Sequence, residues 1–179
     1  MSKEKEQDFS EIVHPDLLAA QKFAYEPNGL SIDKLKREAE SQEYGAFEFE
    51  MNNLRIKFRV AKITPTKIGQ FVTLWKRIGT GPIQPYDRAD PVDLFVISVR
   101  RGERFGQFVF PKEVLCEKDI VSKEGNGGKR AMRVYPPWDI PDNRQAEKTQ
   151  KWQLLYFFEI RPGQYVDTLQ IQKLFLAKL

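Results

Sequence analysis

The feature that most constrains this chain is a segment with charges of one sign only. Between Glu50 and Asp87 it contains no acidic residue, although the 179 residues include 25 acids. A window of this length would hold about five acids by chance. The same segment carries seven bases, so the formal net charge of +4 is concentrated there. A surface with charges of one sign predicts an anionic partner.

The first part of the segment alternates apolar and basic side chains over Leu54–Val60. Successive side chains of a strand point to opposite faces of its sheet, so strict alternation predicts a half-buried strand. Arg55, Lys57 and Arg59 would then share the open face. This row favours contacts with phosphates, and the alternative is a solvated face whose lysines prevent edge pairing.

The second part of the segment predicts a hairpin with the preceding strand. Residues 62–69 are typical of a turn, because Pro65 fixes a backbone angle and two threonines offer hydroxyl groups. Residues 70–77 have the composition of a returning strand. The remaining bases would lie at the two ends of this hairpin: Lys62 and Lys67 at the tip, Lys76 and Arg77 at the far end.

The composition is that of a globular protein, with 41% hydrophobic and 30% charged residues. We expect one domain over residues 1–179, with about residues 1–12 flexible. No apolar run approaches the ~18 residues of a membrane span, and the charged residues 1–6 lack the apolar core of a signal peptide. A cytoplasmic protein without membrane insertion is therefore expected. The single cysteine, Cys116, ends an apolar stretch, which predicts a buried structural thiol.

The order of the predicted elements indicates an α+β fold. Helices predicted at residues 15–23 and 31–40 would cover a sheet from the N-terminal side. Strands are predicted at residues 46–51, 54–61, 70–78, 93–101 and 106–110, and short connections favour antiparallel pairing. A glycine-rich surface loop at residues 123–130 then precedes the C-terminal helices. We expect a curved, mostly antiparallel sheet between these helical parts.

A second basic surface is predicted on a helix that begins at about Asn143, with either Asp142 or Asn143 suited to cap it. Arg144, Lys148 and Lys151 follow at spacings of four and three, so they share one face of this helix. Leu154, Leu155, Phe157 and Phe158 would carry its far end into the core.

A stiff aromatic segment precedes that helix. Two prolines within residues 132–139 restrict the backbone, so Tyr135 and Trp138 would be presented at little entropic cost. Arg133 lies beside them and keeps stacking on a ligand open. The alternative for Trp138 is a place in the core.

Several blocks of the sequence, in order, resemble the MepB family. They are residues 59–67 and 69–77, Asp90 with Asp93, and residues 106–112, 133–138 and 146–153. Members are small bacterial cytoplasmic proteins, some encoded beside a multidrug efflux pump and its repressor. Their fold is similar to a DNA-recognition domain of a type II restriction endonuclease. The resemblance implies nucleic-acid binding without implying cleavage.

A metal-dependent nuclease is the enzymatic alternative. It needs an aspartate and then, on the next strand, an acid and a lysine separated by one residue. Asp93 could be the first ligand, but residues 107–109 supply neither partner, and Lys112 would be a displaced lysine. His14 is the only histidine, so a triad or a zinc site has little to build from. We expect no catalytic residue, cofactor or metal.

The sequence therefore predicts a non-catalytic protein that binds DNA or RNA through a basic, aromatic-flanked groove. The alternative from another class is an accessory module that binds an acidic protein partner with the same face. The predicted contact residues are Arg55, Lys57, Arg59, Lys62, Thr64, Lys67, Lys76, Arg77, Lys112, Arg133, Tyr135, Trp138, Arg144, Lys148 and Lys151.

Overall fold

Short helices at both ends of the chain enclose a strand-rich middle in the structure, a computed structural model that describes residues 13–164 and 166–176. The predicted flexible residues 1–12 lie outside this range. The α-helices are α1 Pro15–Ala20, α2 Lys112–Glu117, α3 Arg144–Gln153 and α4 Thr168–Leu176. The strands are β1 Asp33–Arg37, β2 Phe47–Met51, β3 Leu54–Val60, β4 Lys62–Ile63, β5 Gln70–Thr73, β6 Trp75–Arg77, β7 Ile83–Pro85, β8 Leu94–Arg101, β9 Arg104–Pro111, β10 Ala131–Val134 and β11 Phe157–Glu159.

Six strands form the large sheet, in the order β1-β2-β3-β8-β9-β11. Every neighbouring pair in it is antiparallel except β3 and β8, which run parallel from Ile56 beside Leu94 to Val60 beside Ser98. The fold is thus α+β with a mostly antiparallel sheet, as the sequence predicts. Two smaller sheets, β10-β5-β4 and β6-β7, lie outside the large sheet.

The large sheet is covered by a hydrophobic core on each face. The first core joins Leu17 of α1, Phe58 of β3 and Phe175 of α4. The second core joins Phe95 of β8 to Val72 of β5, on the side of the small β10-β5-β4 sheet. Because β8 is covered on both faces, its first six residues are all buried and show no alternation of apolar and polar side chains.

The predicted starts of two helices are confirmed. Helix α1 begins at Pro15, and His14 Nδ1 accepts a hydrogen bond from the Asp16 amide at 3.0 Å. Helix α3 begins after Asn143, whose Oδ1 accepts the Ala146 amide at 2.9 Å. Cys116 is buried as expected, and burial raises the pKa of its thiol. None of the helices within the described residues has the length and apolar character needed to cross a membrane.

Two helix predictions are wrong. Residues 31–40 contain β1 instead, which pairs with β2 from Asp33 beside Glu50 to Arg37 beside Phe47 and packs Leu35 against the first core. Helix propensity is a weak prior that such tertiary contacts override. The chain also leaves helix after α3, through a 3-10 turn at Leu154–Tyr156 into β11, which pairs with β9.

The predicted hairpin between β3 and the strand at residues 70–78 is also wrong. Strand β3 has buried side chains on both faces and takes its two neighbours from β2 and β8. Strand β5 pairs instead with β10 and with the short β4, where Lys62 stands opposite Phe71 and Ile63 opposite Gln70. In place of the predicted hairpin the chain forms this smaller one, and its connecting turn holds residues 64–69. Further along, β6 pairs with β7.

A buried ion-pair cluster joins the segment after β1 to β3. Arg59 is 1% exposed, and its guanidinium contacts the Glu38 carboxylate and donates to the Phe58 carbonyl at 2.9 Å. Lys57 Nζ lies 2.7 Å from the same carboxylate and 2.6 Å from that of Glu48. The predicted open row of Arg55, Lys57 and Arg59 is therefore wrong, because carboxylates from β2 and the β1 segment cover two of the three bases.

We expect Glu38→Gln to lower the free energy of unfolding by about 3 kcal/mol, because it leaves the buried Arg59 charge without its counter-charge. Urea denaturation at neutral pH measures this. The matched control is Glu50→Gln, whose partner Lys34 is exposed, and it should change stability by less than ~1 kcal/mol. Equal losses in the two variants would contradict a structural role for the buried pair.

Candidate functional site

Most bases of the acid-free segment are paired with carboxylates from other parts of the chain. The pairs are Arg55 with Asp93, Lys57 with Glu38 and Glu48, Arg59 with Glu38, Lys76 with Asp90, and Arg77 with Glu40. Lys62 and Lys67 form no ion pair within the described residues. The segment's charge is thus largely neutralised in the fold, and only its hairpin turn region offers unpaired bases.

A groove of about 610 Å³ lies between the β10-β5-β4 sheet and helix α3. We call it the basic groove, because four bases and no acid are found among the described residues that line it. None of these four bases forms an ion pair within the described part of the chain. They are Lys67, Lys118, Lys129 and Arg133.

One wall of the basic groove is the small sheet. Phe71 stands opposite Lys62 on β4 and opposite Arg133 on β10, so the three side chains project from the same face. Arg133 is held in place, because its guanidinium donates to Thr64 Oγ1 at 2.8 Å and to the Gly69 carbonyl at 3.3 Å. The same guanidinium lies 5.9 Å from the centre of the Phe71 ring.

The other wall is helix α3, which presents Gln145, Thr149 and Trp152 at spacings of four and three. Gln153 joins the two walls and is fully buried. Its Oε1 accepts the Tyr135 amide at 2.8 Å, and its Nε2 donates to the Arg133 carbonyl at 2.9 Å. This side-chain amide fixes the helix against the end of β10 and so sets the width of the groove.

The rim of the basic groove comes from loops. Lys118 follows α2, and its Nζ lies 5.3 Å from the centre of the Trp152 ring. Lys129 belongs to the glycine-rich loop, whose Gly128 amide donates to the Asp119 carboxylate at 3.1 Å. Asp87 anchors the same loop by accepting the Gly125 amide, and this backbone hydrogen bond lowers the pKa of Asp87 to about 2. The Asp119 and Asp87 carboxylates therefore hold the loop that carries Lys129 in place.

The structure brings only part of the predicted contact set together. Lys67, Arg133 and Tyr135 line the basic groove, while Lys62 and Thr64 lie beside it on the small hairpin. Arg144, Lys148 and Lys151 are exposed but precede Gln145, Thr149 and Trp152 by one position, which turns them to the neighbouring face of α3.

Lys112 and Trp138 also lie outside the groove. Lys112 Nζ donates to the Asp90 carbonyl at 2.9 Å. The centre of the Trp138 ring lies 5.8 Å from that of Phe157. The Arg104 guanidinium lies 4.8 Å from the centre of the Trp138 ring. The core alternative therefore describes Trp138 better than presentation to a ligand in the groove.

Several groove residues were not among those predicted. Gln145, Thr149 and Trp152 carry a detectable signal, since their spacing puts them on one helix face. Lys118 and Lys129 carry no local signal, because only the tertiary fold brings their loops to Arg133.

Asp93, the candidate metal ligand, braces the large sheet. Its Oδ2 accepts the Arg55 amide at 2.8 Å, and the Arg55 guanidinium lies 3.7 Å away. Among the described residues, no three side chains of His, Cys, Asp or Glu are grouped so that they could hold a metal ion.

Residues 38–159 match the family model described as MepB-like. The chain belongs to the MepB-like family. It is also similar to a solved structure described as the crystal structure of MepB, at 36% sequence identity and a TM-score of 0.72. That comparison covers 83% of this chain and 97% of the other. No curated protein matches the chain. The MepB-like match contains all four bases of the groove, and the sequence resemblance is confirmed.

We expect Gln153→Leu to lower the free energy of unfolding by about 2 kcal/mol, because it leaves the partly buried Tyr135 amide and Arg133 carbonyl without their hydrogen-bond partner. Chemical denaturation provides the measurement. Gln145→Leu on the same helix is the control, since Gln145 is exposed and its side chain makes no hydrogen bond within the described residues. It should change stability by less than ~0.5 kcal/mol, and a similar loss in both variants would contradict the joining role of Gln153.

Proposed function

We propose that this MepB-like protein binds nucleic acid without catalysis, through the basic groove. The observation that carries the proposal is the contrast between two sets of bases. Lys57, Arg59 and their neighbours are paired with the protein's own carboxylates, whereas the four groove bases have no such partner among the described residues. Unpaired bases along one groove attract phosphates and release their condensed counterions.

Three half-buried aromatic side chains in the same groove support nucleic acid over an acidic protein. Phe71, Tyr135 and Trp152 line it beside the bases. Aromatic rings near bound phosphates can stack on nucleobases, and every base offers a face for this. Aromatic side chains are also enriched at protein–protein interfaces, so it is the combination of rings with four uncompensated bases in one groove that favours nucleic acid.

We also propose that the protein acts in the cytoplasm, which the buried, unpaired Cys116 supports. An accessory role linked to a multidrug efflux pump or its regulation stays a prediction from the family resemblance. The similarity to a restriction-endonuclease recognition domain stays a prediction on the same basis.

The first prediction from the proposed function concerns the charge of the groove. Binding to a labelled oligonucleotide should weaken steeply as salt rises, because each phosphate contact contributes a slope of about 0.7–0.9 in log affinity against log salt. Lys67→Glu combined with Lys129→Glu should weaken binding about tenfold or more at low salt and reduce that slope by about two contacts. Fluorescence anisotropy over a salt series measures both quantities.

The matched control for this prediction is Lys22→Glu with Lys173→Glu, which changes the net charge equally. Both lysines are exposed, form no ion pair within the described residues, and belong to elements on the first-core side of the large sheet. This pair should leave affinity nearly unchanged. Equal losses from both pairs would mean that overall charge, and not the groove, attracts the ligand. Absence of any binding at low salt would refute the proposed function itself.

The second prediction concerns metal. Binding should persist in the presence of a chelator, and plasmid or labelled strands should stay intact with magnesium or manganese. The physical reason is that Asp93 is engaged by Arg55, and Lys112 by the Asp90 carbonyl. Gel analysis after incubation with either metal tests this. Cleavage that Asp93→Ala abolishes would favour the nuclease alternative.

A further inference from the structure

We propose that the basic groove accepts nucleobases that are not base-paired, so that its ligand is single-stranded nucleic acid. This inference rests on the proposed function and adds to it the kind of strand that is bound. It follows from the shape of the groove, from the nature of its walls and from one unused amide.

The groove is concave and small. Its volume of about 610 Å³ falls within the range of ~300–1,000 Å³ that is typical of sites enclosing a small molecule. Proteins read a duplex with a protruding helix or β-ribbon that enters the major groove. A concave wall cannot enter a major groove, so its contacts with an undistorted duplex would be mainly to phosphates. A single strand, in contrast, can turn one or two nucleotides into such a space.

Phe71 and Tyr135 are the groove rings best placed to stack on a nucleobase, since the Trp152 ring also packs 5.4 Å from that of Phe110 in the second core. Inside a duplex, both faces of each base are covered by the neighbouring base pairs, so a protein ring can stack only on a base that is free of the duplex. Phe71 and Trp152 each have a cation near the ring, Arg133 at 5.9 Å and Lys118 at 5.3 Å. A nucleic-acid strand that stacks a nucleobase on one of these rings therefore brings its phosphate close to Arg133 or Lys118.

One side-chain amide of the groove is free to form hydrogen bonds with the edge of a nucleobase. The Gln145 amide makes no hydrogen bond in the described part of the chain and lines the groove. Its neighbours Gln150 and Gln153 are occupied: Gln150 Nε2 donates to the Asp139 carbonyl at 2.8 Å, and Gln153 joins the walls. An amide can both donate to and accept from a nucleobase. Gln145 is thus placed to contact an unpaired base beside the rings.

The test compares three ligands of equal length with the unmodified protein. They are a single strand, the corresponding duplex, and the single strand with abasic positions that keep every phosphate. The single strand should bind about five- to a hundredfold more tightly than either of the others, which corresponds to the contribution of stacking by one base. Its salt slope should equal that of the abasic strand, because the phosphate contacts are the same.

A matched pair of variants locates the effect. Phe71→Leu should remove most of the preference for the single strand while the salt slope stays unchanged. Phe23→Leu, at a half-buried ring that packs on the first core, should retain the preference. Equal binding of single strand, duplex and abasic strand would overturn this inference and leave the proposed function standing. Tighter binding of the duplex would also overturn it, and failure of all three to bind would remove both proposals.

Discussion

The buried charge of Arg59 determines much of the surrounding structure. An arginine within an interior strand is tolerated only if a counter-charge and hydrogen bonds reach it. Glu38 supplies that counter-charge and shares it with Lys57. Glu38 directly follows β1, and its amide donates to the Ala46 carbonyl at 3.0 Å, so its side chain reaches Arg59 of β3 across the neighbouring β2 strand. The pairing also removes two bases from the surface that would otherwise face solvent.

The fold thereby separates bases that stabilise the structure from bases that are open to a ligand. Lys76 and Arg77 pair with Asp90 and Glu40 and belong to the first kind. Four of the bases without an ion pair among the described residues line the groove beside the small β10-β5-β4 sheet, where Gln153 and the Arg133 hydrogen bonds fix the walls. A groove built on strands and a helix holds its side chains more precisely than one built on loops alone. Of the four groove bases, Arg133 lies on a strand, whereas Lys67, Lys118 and Lys129 come from connecting segments.

Local signals in the sequence predicted those elements whose cause is itself local. Pro15 and Asn143 mark the starts of α1 and α3, and alternation marks β3. Strand β1 could not be predicted, because it is held by pairing with β2, which lies elsewhere in the sequence. Alternation also shows which residues of β3 share a face without showing what covers that face. For the same reason the groove was predicted only in part, since its rim depends on loops that are distant in sequence.

A segment free of acids indicates an anion site only when the rest of the fold leaves its bases unpaired. Here carboxylates from outside the segment pair with its bases on β3 and β6. No acid is found among the described residues that line the groove. Like charges that share a groove repel one another and reduce the stability of the free protein. Bound phosphates would relieve that repulsion, so ligand binding and stability are coupled by mass action. The uncompensated bases are thus understandable as a feature that favours the bound state.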